Sequence, residues 1–488
     1  MKSKIVLLSA LSLAFATSCK KDDEKTTTII KNDVVLKEHS VTPNFLKLES
    51  DFSNASVYTL FTSEDQFKDS PNYVFGALAD GTGLLKNADG TYTMLVNTEA
   101  NYAITRITLD ATFKPIKGEY ILNSDATANT AMCSATMVTP QEHGFGPLYL
   151  SGGEWGGASK NVFSVNPYKS ASEASVGKVL ANFGQWSVEN AIVLNKNAYP
   201  GKTVAVIGDD DSDIAGGQVA MYLSNTTGDV ENGKLYGMKV ANAVVEKDIK
   251  EGASYAVSFV ELTERTYDAL NAECISKGVI GLNRVEDLDY RKGSAANNRE
   301  IYFNSTGRKG TNNDIRSKYG RVYKLVLDEK NPLVGTLKVV LDADNLTGDA
   351  KEFHSPDNIT VTENYAYIQE DQNGITDDII KQHKTTLYQY NLKTGAVKKV
   401  LQVDNQLMAS KTDRFGIKYD ASTNPNGSNE ITGMIDISNE IGIPDTFLMA
   451  MQCHSWTNDA AFANPDGGSD DKKYNKGSAV YVIKGLPR

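Results

Sequence analysis

Carboxylates recur along this chain in places that no single local motif explains. Glu99 and Arg106 share NTEANYAITR, Glu154 ends LYLSGGE, and Glu189 precedes the apolar run of GQWSVENAIV. Asp209, Asp210, Asp211 and Asp213 crowd VIGDDDSDIAGG; Arg284, Glu286 and Asp287 stand in NRVEDLDY. Asp357, Glu370 and Asp371 bracket EFHSPDNITVTENYAYIQED, and Glu430 lies in SNEITG. Oxygen-rich sets of this kind suit hard divalent cations, calcium first. Five histidines against 61 Asp and Glu make zinc the weaker expectation. The Asp-rich loop is not an EF-hand, because Ile214 stands where that loop needs glycine and Ala220 where it needs its bidentate Glu. Asp-rich turns also cap strands and solvate loops. Glu189 is harder to read that way: beside Val188 and Ala191-Ile192-Val193, a carboxylate is costly unless paired or metal-bound. Arg284 and Glu286, two apart, face one side of a strand, as an ion pair or as an anion clamp beside a metal ligand. No Ser–His–Asp or Cys–His arrangement suggests covalent acyl chemistry.

Such residues need a scaffold that gathers them. From about residue 55 the dominant signal is period two, in short strands separated by Gly, Asn, Asp and Thr. NVFSV (161–165), KTVAVIGD (202–209), GQVAMYL (217–223), GKLYGMKV (233–240), EIYFNST (300–306), GRVYKLVL (320–327), GTLKVVL (335–341), TTLYQYNL (385–392), GAVKKVLQV (395–403) and SAVYVIKGL (478–486) all fit, as does the run after SPDN. The best helix candidate is ERTYDALNAECISKG (264–278), with glycine as its stop. Hairpins recur, most clearly in TLYQYNLKTGAVKKVL with its Lys393-Thr394-Gly395 turn. The expectation is an all-β fold: a β-propeller of about six blades with long inserts, one of them over 264–299. A propeller closes on itself and exposes few edges. Its inner strands converge on one channel, where distant carboxylates meet. In that reading SPDN and QED flank an inner strand.

The N-terminus reads as targeting sequence. Residues 1–18 combine a basic start, MKSK, with an apolar stretch too short to span a bilayer. Residues ATSC end at Cys19, the expected lipidation site, and 19–50 read as a flexible tether opening with KKDDEKTTT. Residues 51–488 are then a single domain. The charged run Lys20–Glu24 resembles the export signal of surface-exposed lipoproteins, so the expected place is the outer face of the outer membrane, with membrane contact through lipid only. A net charge of −11 offers nucleic acid no electrostatic footprint. A monomer is expected. Beyond Cys19, Cys133, Cys274 and Cys453 match no zinc spacing and allow at most one disulfide.

The order of the clusters resembles the PhoX-type alkaline phosphatase family. The similarity runs through MLVNTEANYAITR, TPQEHGFGPLYLSGGEWGG, GQWSVENAIVL, TVAVIGDDDSDIAGGQVAMYL, NRVEDLDY with EIYFNSTG, EFHSPDNITVTENYAYIQED, and NEITGMIDI with FLMAMQCHSW. The resemblance implies a secreted β-propeller with calcium and iron in its channel. It implies Glu154, Glu189 and Glu286 as metal ligands, with Asp357, Glu370 and Asp371 adding oxygens. It implies Arg284 and Glu286 as catalytic residues, Arg284 and Arg106 as substrate-binding residues, and a phosphorylated small molecule as substrate. The departures bear on the metals: Thr98 and Val188 replace His, Val285 replaces Pro, Cys453 is inserted before His454, and Gly153 holds the place of a metal-bridging cysteine. The change at Gly153 argues against iron unless Cys133 substitutes in space, and leaves a calcium-only site as the alternative. The expected function is a surface-anchored, metal-dependent phosphomonoesterase. The alternatives are a non-catalytic calcium-binding propeller and another metal-dependent propeller hydrolase, lactonase-like or phytase-like.

Overall fold

A computed structural model of the chain describes residues 33–310, 312–372, 383–424, 426–463 and 475–488. The expected signal segment and Cys19 lie outside the described residues. From Val34 to Arg488 the chain forms one compact unit of antiparallel strands arranged as six blades. The first blade is Ala79–Lys86, Tyr92–Thr98, Ala103–Leu109 and Pro115–Leu122; the second has three strands, Met132–Val138, Leu148–Gly153 and Val162–Val165. The third is Val188–Val193, Thr203–Asp209, Val219–Ser224 and Lys234–Val240; the fourth is Val285–Tyr290, Glu300–Ser305, Arg321–Leu327 and Val334–Asp342. The fifth is Pro356–Val361, Tyr365–Glu370, Thr386–Asn391 and Val397–Val403. The sixth combines Glu430–Asp436, Thr446–Thr457 and Lys476–Lys484 with Ser56–Thr62 from the other end of the chain.

The first strand of each blade packs against the first strand of the next, and the sixth against the first, so the ring closes. Closure is made by the early strand Ser56–Thr62, which pairs with Lys476–Lys484 from Ser56↔Lys484 to Thr62↔Ala479. One further strand, Ser254–Leu262, pairs with the outer edges of both the third and fourth blades and fuses them into a nine-stranded sheet. Apolar side chains fill the spaces between blades; Phe183, for example, stacks on Tyr222 at 4.3 Å between ring centroids.

Three expectations change. The tether does not extend to residue 50: Val34 and Leu36 pack on the core, Phe45 is buried, and Leu46–Leu48 pairs with the outer strand of the fifth blade. The charged opening of that segment masked the apolar alternation behind it. The segment 264–299 is only partly an insert, because beyond the helix Tyr267–Lys277 it contains the inner strand Val285–Tyr290. Cys133, Cys274 and Cys453 are buried and free, so the possible disulfide does not form among them.

Candidate metal centre in the channel

Every inner strand is irregular, and in five blades at the same place. Pairing jumps between Ala79 and Thr82, Met132 and Ala135, Val188 and Ala191, Val285 and Leu288, and Pro356 and Ile359. Two inner residues there oppose one residue of the second strand. Such a bulge bends the strand and re-aims its side chains. The five bulged pairs are Asp80-Gly81, Cys133-Ser134, Glu189-Asn190, Glu286-Asp287 and Asp357-Asn358. In the sixth blade the bulge is Gly433-Met434, and the acid Glu430 starts the strand.

The bulges build two tiers. The first members are four carboxylates and one thiol, all buried. The second members form a hydrogen-bonded layer: Asn190 Nδ2 donates to Asp287 Oδ1 at 2.6 Å, and Asn358 Nδ2 to Ser134 Oγ at 2.6 Å. The other Asp287 oxygen accepts the Ile359 N–H at 3.0 Å. A second set of acids joins the upper tier one hairpin later. Glu99, Glu154, Asp210 and Asp371 each follow the second strand of their blade.

The upper tier is tightly packed. Ligand atoms of Asp80, Glu99 and Cys133 lie within 4.8 Å of one another, as do those of Cys133, Glu154 and Glu189. Cys133 Sγ donates to Glu154 Oε2 at 3.1 Å, and the Ser134 N–H to Glu189 Oε1 at 3.0 Å. Glu99 accepts from Trp155 Nε1 at 2.6 Å and Gln452 Nε2 at 2.8 Å. Asp371 bridges to Glu430 through the backbone, and Glu430 Oε2 lies 3.4 Å from His454 Nε2. Arg284 clasps Asp210 through Nε at 2.9 Å and Nη2 at 3.1 Å, and Nη2 also stands 2.5 Å from Glu286 Oε1. That last contact is an ion pair without hydrogen-bond geometry, so Glu286 Oε1 is buried with no hydrogen bond. Arg284 Nη1 makes no hydrogen bond to a described residue.

Charge in the cluster is far from balanced. Burial first, and mutual repulsion second, push Asp80, Glu154, Glu189 and Asp357 well above the usual carboxylate range, and Glu430 likewise. Burial raises Glu286 too, against the pull of Arg284. For Asp210 burial is overcome by the Arg284 guanidinium, and its acidity stays below the usual value. The Cys133 thiol is pushed up by burial and by Glu189 and Glu154. Buried carboxylates in such number need protons or cations as partners. The donor set, many oxygens and one thiol, suits a hard cation and leaves one place for a thiophilic one.

Of the residues singled out in the sequence, the fold gathers Glu154, Glu189, Glu286, Asp357, Asp371 and Arg284. It does not gather Glu370 or Arg106. Glu370 adjoins Asp371, but strand alternation turns it into the fifth blade, where it meets His383 Nε2 at 2.8 Å and the N–H groups of Thr386 and His354 at 3.1 and 3.2 Å. Arg106 sits on a third strand, bound to Glu119 at 2.8 Å and to the carbonyls of Pro167 and Lys169. Asp80 was missed; nothing beside it in FGALADGTG marks it as a ligand. The signal that finds it is the pairing of an inner-strand acid or thiol with an acid one hairpin later: Asp80 with Glu99, Cys133 with Glu154, Glu189 with Asp210, Asp357 with Asp371.

No family model and no curated sequence matches the chain. Solved structures similar to it include a family 43 β-1,3-galactosidase with galactodeoxynojirimycin, at 11% identity over 86% of this chain and 94% of that one, TM-score 0.34. The WD40 domain of Neurospora crassa Pan2 is similar at 9% identity over 83% and 89%, TM-score 0.33. A puromycin hydrolase mutant is similar at 11% identity over 72% and 50%, TM-score 0.33. Likeness at this level carries no argument about activity.

Proposed function

We propose that the channel binds divalent cations, calcium foremost, and that with them the protein hydrolyses phosphomonoesters. One observation carries this reading: the inner strands and the loops after the second strands bring buried carboxylates together around a single well-paired guanidinium. Asp80, Glu99, Glu154, Glu189, Glu286, Asp357, Asp371 and Glu430 would hold the cations. Cys133 supplies, from another strand, the thiol that Gly153 lacks, so an iron ion has a candidate ligand. Bound cations supply Lewis-acid polarisation of the phosphoryl group.

The chain's own part is positioning. Arg284 is held rigid by Asp210 and Glu286, and its uncommitted Nη1 is the donor for a phosphoryl oxygen. Its backbone is left-handed, φ 68°, an arrangement costing about 1–2 kcal/mol for a residue with a Cβ. The Asp211 carbonyl and the Thr306 N–H hold it there, at 3.0 and 2.9 Å. Strain kept at such a position is typical of functional sites. Trp155 and Gln452 fix Glu99 in the same way. The N-terminal segment and lipidated Cys19 would place this site at the cell surface.

The test uses the purified chain from residue 20, stripped with EDTA and reloaded with calcium, iron or both. Calorimetry is expected to show calcium binding, and p-nitrophenyl phosphate hydrolysis is expected only in reloaded protein, with a loss of about 100-fold in Glu286→Gln. Folded protein that binds no divalent cation sinks the metal centre. Cation binding without hydrolysis under any loading sinks the enzyme and leaves the non-catalytic propeller.

A further inference from the structure

Beyond the hydrogen-bonded lower tier the channel opens again. A cavity of about 180 Å³ lies there, lined by the later residues of all six inner strands. Its roof is the lower tier itself, through Asn190 and Asp287. The cavity is therefore separated from the metal centre by a polar partition.

Its walls mix apolar side chains, Leu84, Met137, Ile192, Leu288 and Ile435 among them, with polar ones. Almost every polar group in it is already committed. Thr136 Oγ1 donates to Asn190 Oδ1 at 3.4 Å, Thr360 Oγ1 to the Met434 carbonyl at 2.6 Å, and Thr82 Oγ1 to the Gly433 carbonyl at 2.6 Å. Lys292 Nζ bonds Asp289 Oδ1 at 3.0 Å, stands 3.3 Å from Glu142 Oε1, and lies over the Tyr290 ring at 3.6 Å. Glu142 also takes the Tyr290 hydroxyl, and Asp436 pairs with Arg488. Two groups are exceptions. His143 accepts the Thr139 N–H at Nδ1, and its Nε2 makes no hydrogen bond with a described residue. Glu440 also lines the cavity and makes no hydrogen bond or ion pair with another described residue. Burial, with repulsion from Asp436 and Glu142 and against its own backbone N–H and the pull of Arg488, pushes its carboxyl up to about 7.

This balance selects a ligand class. An anion finds Lys292 already saturated and several carboxylates opposing it. A neutral apolar molecule gains the walls alone. A cation gains the walls and the one lining carboxylate that pairs with no other described residue. We propose that this cavity is a second binding site, distinct from the metal centre, for a small amine with an apolar body: the ammonium pairs with Glu440 and the body packs on the inner-strand side chains. The site lies beneath the typical drug-sized pocket of about 300 Å³ or more, which limits the ligand to a few carbons or one ring.

Three probes of one shape test it on the calcium-loaded chain: phenethylamine, 2-phenylethanol and phenylacetate. Titration calorimetry is expected to give saturable binding of phenethylamine, about tenfold tighter than the alcohol, with no binding of the acid. Glu440→Gln, a conservative change on a half-exposed short helix, is expected to bring the amine to the affinity of the alcohol while calcium binding stays as before. Equal affinities for amine and alcohol, an amine affinity unmoved by Glu440→Gln, or no binding of any probe would each overturn the proposal. Calcium binding read in the same samples keeps this outcome separate from failure of the metal centre.

Discussion

At the scale of single residues, the fold buries titratable groups in opposite senses. The channel carboxylates are pushed up, while His143 is pushed down. His143 is 4% exposed and its Nδ1 accepts the Thr139 N–H at 3.0 Å. Burial, against the pull of Glu142, lowers it from 6.5 to about 4. The unfolded chain therefore binds this proton at a higher pH than the folded one. Stability from neutral His143 is complete above 6.5 and is lost as pH falls from there through about 4. The channel carboxylates, pushed up, titrate in the opposite sense, so the readout is the difference between two chains: across that window the urea midpoint of the parent is expected to fall towards acid relative to that of His143→Gln, by up to one proton. An unchanged slope in the variant would show that His143 does not titrate this way.

At the scale of elements, the repeated bulge organises the molecule, and five of the six bulges meet the blade before them. In the first five blades the residue opposite the bulge reaches forward to the next one. Asn97 Nδ2 donates to the Cys133 carbonyl, and Asn304 Nδ2 to the carbonyls of Asp357 and Asn358 at 2.7 and 3.1 Å. Gln369 Oε1 accepts the Met434 N–H at 3.2 Å. Where that residue is glycine, backbone meets backbone: a Cβ on Gly152 would lie 2.0 Å from the Glu189 carbonyl oxygen. Gly152 is thus required for close approach to the bulge that carries Glu189. Gly152→Ala is expected to cost about 1–3 kcal/mol of stability, as overpacking does, and to weaken calcium binding by displacing Glu189. Thermal unfolding and calorimetry check both. A variant as stable as the parent would mean that the blades are not latched at this point.

At the scale of the whole molecule, ring closure depends on a strand borrowed from early in the chain. Ser56–Thr62 covers the outer edge of Lys476–Lys484, and Leu60 and Phe61 are buried in the core. An uncovered strand edge next to an opened core invites association. A chain beginning at Ser63 is expected to lose its cooperative thermal transition and to aggregate. Monomeric protein with the parent melting point, by light scattering and calorimetry, would show that the borrowed strand is dispensable.

The middle and outer strands were legible because one face of each packs between blades and period two survives. The runs 202–209, 320–327 and 385–392 are all strands of that kind. Most inner strands were not. They are short, buried on all sides, polar where they begin, and bulged, which breaks the alternation that marks a strand. The sequence alone determined an all-β fold and, at Glu189, a carboxylate that turn chemistry explains poorly. It could not tell Asp371 from Glu370, because one step along a pleated strand reverses a side chain. It gave no reason to join Asp80 to Glu430, separated by nearly the whole chain. Local pattern reports burial and backbone conformation over a few residues. Which carboxylates share a site is decided by closure of the ring, and closure is a property of the folded chain.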